Sequence, residues 1–116
     1  MSHLGQTALI TGASSGVGAA TALKLAQLGI NVVVNYNSSL SGAQAVVKNI
    51  TDLGAQAIAV QGDVSQEKDC RRIVEKTIER FGRLDILINN AGTTTFVPHH
   101  DLEGLTEDIW HHTLGV

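Results

Sequence analysis

The sequence is poor in cysteine, proline, aromatic residues and clustered charge. Its single cysteine, Cys70, excludes an internal disulfide and any Cys-x-x-Cys pair for zinc or thiol exchange. The net charge is −3 and the eight Lys and Arg residues are dispersed, so no basic face favours nucleic acid or an anionic membrane. The N-terminus has no signal-like cationic and apolar segments, and no apolar run approaches the roughly 18–20 residues of a membrane span. We therefore expect a cytoplasmic protein whose partners are small molecules or protein.

Short β-type runs alternate with longer helical patterns along the chain, which is typical of parallel βαβ units. Four runs are short and apolar, as expected of strands buried on both faces: 7–10, 31–34, 57–60 and 86–88. Two helical patterns end at Gly54 and Gly82, where a helix terminus favours positive φ. The layout predicts an α/β fold, a Rossmann-type doubly wound parallel sheet with strand order 3-2-1-4.

Two further features concern the helices. Cys70 falls on the apolar face of the pattern that ends at Gly82, so a core position is expected rather than a reactive thiol. A last helix is predicted to start at Thr106, whose hydroxyl can cap it, and the sequence ends inside that helix. The irregular stretch from about 92 to 105 has the length of a functional loop.

A glycine-rich turn, Thr11-Gly12-Ala13-Ser14-Ser15-Gly16-Val17-Gly18, joins the first strand to the first helix. Gly12 permits a sharp turn, Gly16 lets the backbone approach a phosphate, and Gly18 lets helix and strand pack tightly. The N–H groups and dipole of the helix N-terminus favour a pyrophosphate. Because no Gly-Lys-Ser/Thr follows, a P-loop triphosphatase is disfavoured and a dinucleotide fits better.

Three motifs in this order resemble those of the short-chain dehydrogenase/reductase family. They are the spacing Gly-x-x-x-Gly-x-Gly, Asp63-Val64 after the third strand, and Asn89-Asn90-Ala91-Gly92 after the fourth. The segment 81–88 before the last motif is similar to the 3-oxoacyl-carrier-protein reductase branch. The resemblance covers the whole chain and implies a single NAD(P)-binding Rossmann half-domain, residues 1–116, truncated after strand 4 inside the following helix.

The resemblance also implies roles for individual residues. Asp63 would accept from the adenine amino group and Val64 would flank the ring. Asn90, Ala91 and Gly92 would line the ribose and nicotinamide side. For Asp63 a turn role capping the next helix remains open, and for Asn89 and Asn90 so does a structural role in tying strands together. The expected cofactor-binding residues are Gly12, Ser14, Ser15, Gly16, Val17, Gly18, Asn35, Tyr36, Asn37, Ser38, Asp63, Val64, Asn90, Ala91 and Gly92.

The segment after the second strand, Asn35-Tyr36-Asn37-Ser38-Ser39, bears on the choice of cofactor. An acidic residue here would select NAD by binding the ribose 2′-hydroxyl. Without a carboxylate to repel a 2′-phosphate, the amide and hydroxyl donors favour NADP(H) over NAD(H). No Arg lies in this segment or in the glycine turn, so the expected preference is weak, and a polar loop without selectivity remains the alternative.

No catalytic residue is assigned. The resemblance implies a Tyr with a Lys four positions later, but the only tyrosine, Tyr36, lies in the cofactor segment and is followed at that spacing by Leu40. The adjacent histidines at 99–100 and 111–112 lack metal-ligand spacing, so no metal is assigned either. We expect the N-terminal part of an NAD(P)-dependent oxidoreductase that reduces a ketone, such as a 3-oxoacyl thioester, with this chain alone inactive.

Two other functions compete with this expectation, and the fourth strand bears on the oligomeric state. A non-catalytic nucleotide-binding or oligomerisation module is the main alternative. A methyltransferase is disfavoured because its usual acidic residue after the second strand is absent.

The apolar fourth strand, without Pro or Lys, would leave an open sheet edge. The last helix adds apolar surface at Ile109, Trp110 and Leu114. We therefore expect a homo-oligomer joined through this edge or the C-terminal helix.

Overall fold

The computed structural model describes residues 5–14 and 16–90. Helices and strands alternate there as β1 (Thr7–Thr11), α1 (Gly16–Gln27), β2 (Asn31–Tyr36), α2 (Leu40–Asp52), β3 (Ala57–Gln61), α3 (Glu67–Phe81) and β4 (Ile86–Asn89). The strands form one parallel sheet in the order β3-β2-β1-β4, which confirms the predicted order and fold class. The predicted helix from Thr106 and the stretch 92–105 lie outside the described residues.

Each strand extends one or two residues beyond its predicted apolar run. The added residues are mainly polar, yet they stay in register: Thr11 is paired with Asn89, and Tyr36 with Gln61. Hydropathy does not mark these positions because ladder hydrogen bonds join backbone groups whatever the side chain. The extensions place polar side chains along the carboxyl edge of the sheet.

Helices cover the sheet on both faces. On one face Leu9 and Val33 pack with Ile73 of α3, and on the other Ile10 packs with Ala22 of α1, as the alternation of side chains along a strand requires. The interior strands β1 and β2 are buried almost throughout, as predicted. The expectation of burial on both faces is wrong for β3 and β4. Ala57, Val60 and Leu87 are buried, but the other residues of these strands are partly or fully exposed, because the strands form the two edges of the described sheet.

The helix features confirm the sequence pattern. Gly54 and Gly82 have φ values of 93° and 80°, and the Gly82 amide donates to the Ile78 carbonyl at 2.7 Å. Cys70 of α3 is 3% exposed and packs in the core between that helix and the sheet. Within the described part of the chain, no helix is both long and apolar enough to cross a membrane.

Candidate functional site

The predicted motifs converge at the carboxyl edge of the sheet, where the ends of parallel strands meet. The glycine turn follows β1, Asn35 and Tyr36 end β2, Asp63 follows β3, and Asn90 follows β4. The sheet order explains the convergence, because β1 lies between β2 and β4 and its glycine turn therefore has neighbours on both sides. Three of the predicted residues, Ser15, Ala91 and Gly92, lie outside the described residues.

The glycine turn combines an open surface with a tight contact. Gly12 and Gly16 have φ values of 60° and 62°, a region that favours glycine. A Cβ added at Gly16 would meet nothing within 4 Å, so the backbone there is open to an incoming group. A Cβ at Gly18 would lie 2.8 Å from the Gly12 carbonyl oxygen, 2.9 Å from Ala13 Cα and 2.5 Å from Asn90 Nδ2. The sequence predicted that Gly18 lets helix and strand pack tightly. In the structure, Gly18 lets α1 approach the glycine turn and Asn90 after β4.

Hydrogen bonds join the ends of β1 and β4. The Thr11 hydroxyl donates to Asn89 Oδ1 at 2.9 Å and accepts the Asn90 N–H at 2.9 Å. The Asn90 side-chain amide also donates to the Gly12 carbonyl at 3.1 Å. Both asparagines thus have the structural role that the sequence left open, and they hold the glycine turn against β4.

Asn35 lies inside the site rather than on its surface. Its side chain is 2% exposed, accepts the Gly12 N–H at 3.1 Å, and donates to the carbonyls of Val60 and Gly62 at 3.2 and 3.1 Å. Contact between Asn35 and a ligand stays a prediction, and the burial of this side chain does not favour it. The surface of this segment is provided by the partly exposed Tyr36 and by residues 37 and 38, which are exposed.

The Asp63 carboxylate is held in a turn after β3. Its Oδ1 accepts the Ser65 hydroxyl at 2.7 Å and the Ser65 N–H at 2.9 Å, and these bonds lower the pKa of Asp63. Asp63 does not cap α3, because the residue before that helix is Gln66. Val64 is 6% exposed and packs in the core with Cys70, so its predicted contact with an adenine ring stays a prediction that its burial does not favour.

Comparison with known proteins identifies the family. A sequence profile described as short chain dehydrogenase matches residues 6–116. The chain belongs to the short-chain dehydrogenase family. It is 49% identical over 112 residues to an uncharacterized oxidoreductase of Methylorubrum extorquens, covering 97% of this chain and 44% of that protein. It is 49% identical over 89 residues to the 3-oxoacyl-[acyl-carrier-protein] reductase of Synechocystis, covering 77% of this chain and 36% of that enzyme.

A solved structure agrees with this assignment. The short chain dehydrogenase of Burkholderia cenocepacia in complex with NADP superposes with a TM-score of 0.75 at 44% identity, covering 98% of this chain and 45% of that one. The present chain thus spans between 36% and 45% of the length of these three relatives.

Sequence reasoning missed two residues that shape the site of this short-chain dehydrogenase. Asp69 Oδ2 accepts the Asp63 N–H at 2.8 Å, which lowers the pKa of Asp69 and fixes the turn that carries Asp63. A Cβ at Gly42 would lie 2.7 Å from the Ser14 carbonyl oxygen, so this glycine lets the first turn of α2 approach the glycine turn. Gly42 could have been recognised from the sequence, because a glycine inside a predicted helix is unfavourable unless close packing requires it.

The charged and polar groups of the site are suited to binding. Within residues 5–14 and 16–90, no three His, Cys, Asp or Glu side chains are grouped as metal ligands. The N–H groups of the first turn of α1 have no partner within the helix, and its dipole adds positive potential beside the open backbone of Gly16. The described site can therefore receive an anionic group at the glycine turn and a hydrogen-bond donor at Asp63.

Proposed function

We propose that the chain is the NADP(H)-binding N-terminal part of an NAD(P)-dependent short-chain oxidoreductase that reduces a ketone, with 3-oxoacyl thioesters as the first substrate class to test. The observation that carries this proposal is the placement of the open glycine turn and the Asp63 carboxylate along one sheet edge. A pyrophosphate and an adenine are the two parts of a dinucleotide that these groups would bind.

The residues present fit such a cofactor. The backbone at Gly16 has no side chain in the way of a phosphate, and a partly exposed, ionised Asp63 can accept from an exocyclic amine. Asn90 holds the Gly12 carbonyl and thereby fixes the turn on its β4 side. The nicotinamide group of the bound cofactor would supply the hydride, and the described residues would bind and orient the rest of the molecule.

Preference for the phosphorylated cofactor is supported by the end of β2. Asn37 and Ser38 are exposed there, and neither carries a charge that would repel a 2′-phosphate. The Burkholderia relative binds NADP, which agrees with this choice. The name of the Synechocystis relative supports a 3-oxoacyl thioester as substrate class. The residue four positions after Tyr36 is Leu40 and not Lys, so the chain lacks a Tyr-x-x-x-Lys pair. We therefore propose that the chain by itself is inactive as a reductase.

Calorimetric titration of the purified chain with NADPH and NADH tests the proposal. Gly16→Val should weaken NADPH binding at least about ten-fold, because the side chain would occupy the surface offered to the phosphate. Gly54→Val is the matched control. Gly54 also has positive φ and open space around its Cβ position, but it lies between α2 and the start of β3, away from the site. Equal losses in the two variants, tighter binding of NADH, or no binding by the parent chain would contradict the proposal.

A ketone-reduction assay with NADPH tests the proposed inactivity. Turnover no faster than a blank is expected of the isolated chain, because no Tyr-x-x-x-Lys pair lies within its 116 residues. The Gly16→Val variant serves as the reference for any background rate. Turnover in the parent chain that this variant abolishes would show that other groups perform the proton transfer, and the assignment of no catalytic residue would be wrong.

We also propose a homo-oligomer. Among the described strands β4 pairs only with β1, and its Leu87 is buried while Ile86 and Ile88 are partly exposed. An apolar edge strand favours pairing with a second chain. The C-terminal helix named as a second contact lies outside the described residues. Light scattering after size exclusion should give at least twice the mass of 12.2 kDa, and a monodisperse monomer at micromolar concentration would contradict this.

A further inference from the structure

We propose that Asn35 is a positioning residue that fixes the glycine turn and the Asp63 turn in one frame. Asn35 belongs to β2, and its side chain lies between the carboxyl ends of three strands. It accepts the Gly12 N–H after β1 and donates to the carbonyls of Val60 in β3 and of Gly62 just after β3. Gly62 immediately precedes Asp63. One buried amide therefore connects both turns to which the proposed function assigns the dinucleotide.

The hydrogen bonds of Asn35 match a carboxamide in particular. Oδ1 accepts one N–H, and Nδ2 donates to the Gly62 and Val60 carbonyls at 3.1 and 3.2 Å, with the Tyr36 carbonyl more distant at 3.5 Å. A carboxylate in this position would set an oxygen against both carbonyls, and an aliphatic side chain would leave all three backbone groups without this partner. Because the side chain is 2% exposed, water cannot easily replace it.

The backbone of Asn35 reinforces this arrangement. Its carbonyl oxygen accepts the Ala13 N–H at 2.9 Å, so Asn35 engages two consecutive amides of the glycine turn. On the other side, the Gly62 N–H donates to the Tyr36 carbonyl at 2.9 Å. The N–H groups of Gly12 and Ala13 are thus directed into the protein, and an incoming phosphate must use N–H groups further along the turn. A cofactor-selecting carboxylate at position 35 would likewise be buried against the Val60 and Gly62 carbonyls.

Amide hydrogen exchange measured by NMR on the whole chain tests the connection without any ligand. In Asn35→Ala, protection of the Gly12 amide should fall about ten-fold, the equivalent of one lost hydrogen bond, and the resonances of Gly62 and Asp63 should shift. Asn31→Ala is the matched control, because Asn31 lies at the opposite end of β2 and makes one 3.5 Å side-chain bond to Thr7. Unchanged Gly12 protection, or equal effects in both variants, would overturn the proposal.

Asn35→Asp gives a second test should the alanine variant fail to fold. The protonated carboxyl can donate to one carbonyl, whereas the ionised form is buried against two, so the folded-state pKa of the new group is raised. Its stability relative to the parent should be highest below the unfolded pKa of roughly 3.9 and should fall as pH rises above that value. Asn31→Asp should show a smaller or flat difference. A stability deficit in Asn35→Asp that does not change between pH 4 and pH 8, roughly the interval where such a group titrates, would overturn the proposal.

The other charged groups near Asn35 do not account for a pH-dependent difference in stability between Asn35→Asp and the parent. Neither β1 nor β3 carries a titratable side chain. Of the charged residues that follow β3, Asp63, Asp69 and Arg72 make the hydrogen bonds at the end of that strand. The hydrogen bonds that both aspartates accept lower their pKa values, which favours the ionised form over most of this pH range, and both groups are present in every variant.

Titration with NADPH separates this proposal from the proposed function on which its binding consequence rests. Where circular dichroism shows Asn35→Ala to be folded, its dissociation constant should rise about ten-fold while that of Asn31→Ala stays at the parent value. If the parent itself does not bind NADPH, the proposed function is wrong and the exchange and pH experiments still decide the role of Asn35. If the parent and Asn35→Ala bind equally, Asn35 does not position the site.

Discussion

The Thr11 hydroxyl lies 2.9 Å from Asn89 Oδ1, although the two residues are 78 positions apart in sequence. Thr11 ends β1 and Asn89 ends β4, and the parallel register pairs them directly. The same hydroxyl accepts the Asn90 N–H. A threonine side chain thus continues the connection between the two strands past the point where their backbones stop pairing, and it sets the position of the glycine turn that follows.

Thr11→Val should lower the free energy of unfolding by about 1–3 kcal/mol, because Asn89 and Asn90 lose a buried hydroxyl partner without any change in volume. Thr11 is fully buried, so water cannot substitute for the hydroxyl. Urea denaturation measures the change. Thr51→Val is the control: its exposed hydroxyl donates to the Lys48 carbonyl within α2, and a change within about 0.5 kcal/mol is expected. Thr11→Ser should recover most of the loss, and a neutral Thr11→Val would contradict the prediction.

Gly18→Ala should destabilise the chain by about 1–3 kcal/mol, even though alanine is ordinarily favoured over glycine within a helix. Two of the atoms that a Cβ would meet, the Gly12 carbonyl oxygen and Ala13 Cα, are backbone and cannot rotate away. Ala20→Gly at an exposed position of the same helix measures the intrinsic preference in the opposite direction. Thermal unfolding of the two variants decides the matter. A Gly18→Ala chain as stable as the parent would show that α1 shifts freely.

Stability should fall in acid below about pH 4, through Asp63 in the β3–α3 turn and Asp69 in the first turn of α3. The pKa values of Asp63 and Asp69 are lowered from 3.8 by the hydrogen bonds that the carboxylates accept. A depressed folded-state pKa gives stability that is fully present above the unfolded value and is lost as pH falls through the folded value. Melting temperatures between pH 7 and pH 2.5, roughly the span of carboxylate titration, should show a shallower decline in Asp69→Asn than in the parent. Parallel curves would argue against this origin.

Cys70 should react slowly with thiol reagents in the folded chain. It is 3% exposed, its thiol donates to the Val64 carbonyl at 3.2 Å, and burial raises its pKa from 9.0 to about 11. Since thiolate is the reactive form, labelling near neutral pH should be at least about ten-fold slower than in denaturant. Absorbance with a disulfide reagent follows the reaction, and because the sequence has one cysteine, no other thiol contributes. Equal rates in both states would place Cys70 outside the core.

The sequence by itself was sufficient for the fold and for the placement of the predicted motifs along one edge of the sheet. Short apolar runs between helical patterns predicted β3-β2-β1-β4, since right-handed crossovers leave few arrangements of parallel strands. The glycine spacing marked the turn after β1 because Gly12 and Gly16 need positive φ and Gly18 has no room for a side chain. These features depend on local backbone geometry and on periodicity, both of which are written along the chain.

Only the tertiary structure decided how the polar residues at the strand ends divide their tasks. In sequence, Asn35, Asn89 and Asn90 are equivalent amides beside a predicted ligand. Folding buries Asn35 among the backbone groups of three segments and sets Asn89 against Thr11, whereas Asn37 and Ser38 remain exposed. A side chain's role depends on which distant backbone groups need a hydrogen-bond partner, and those groups become neighbours only when the strands align in register.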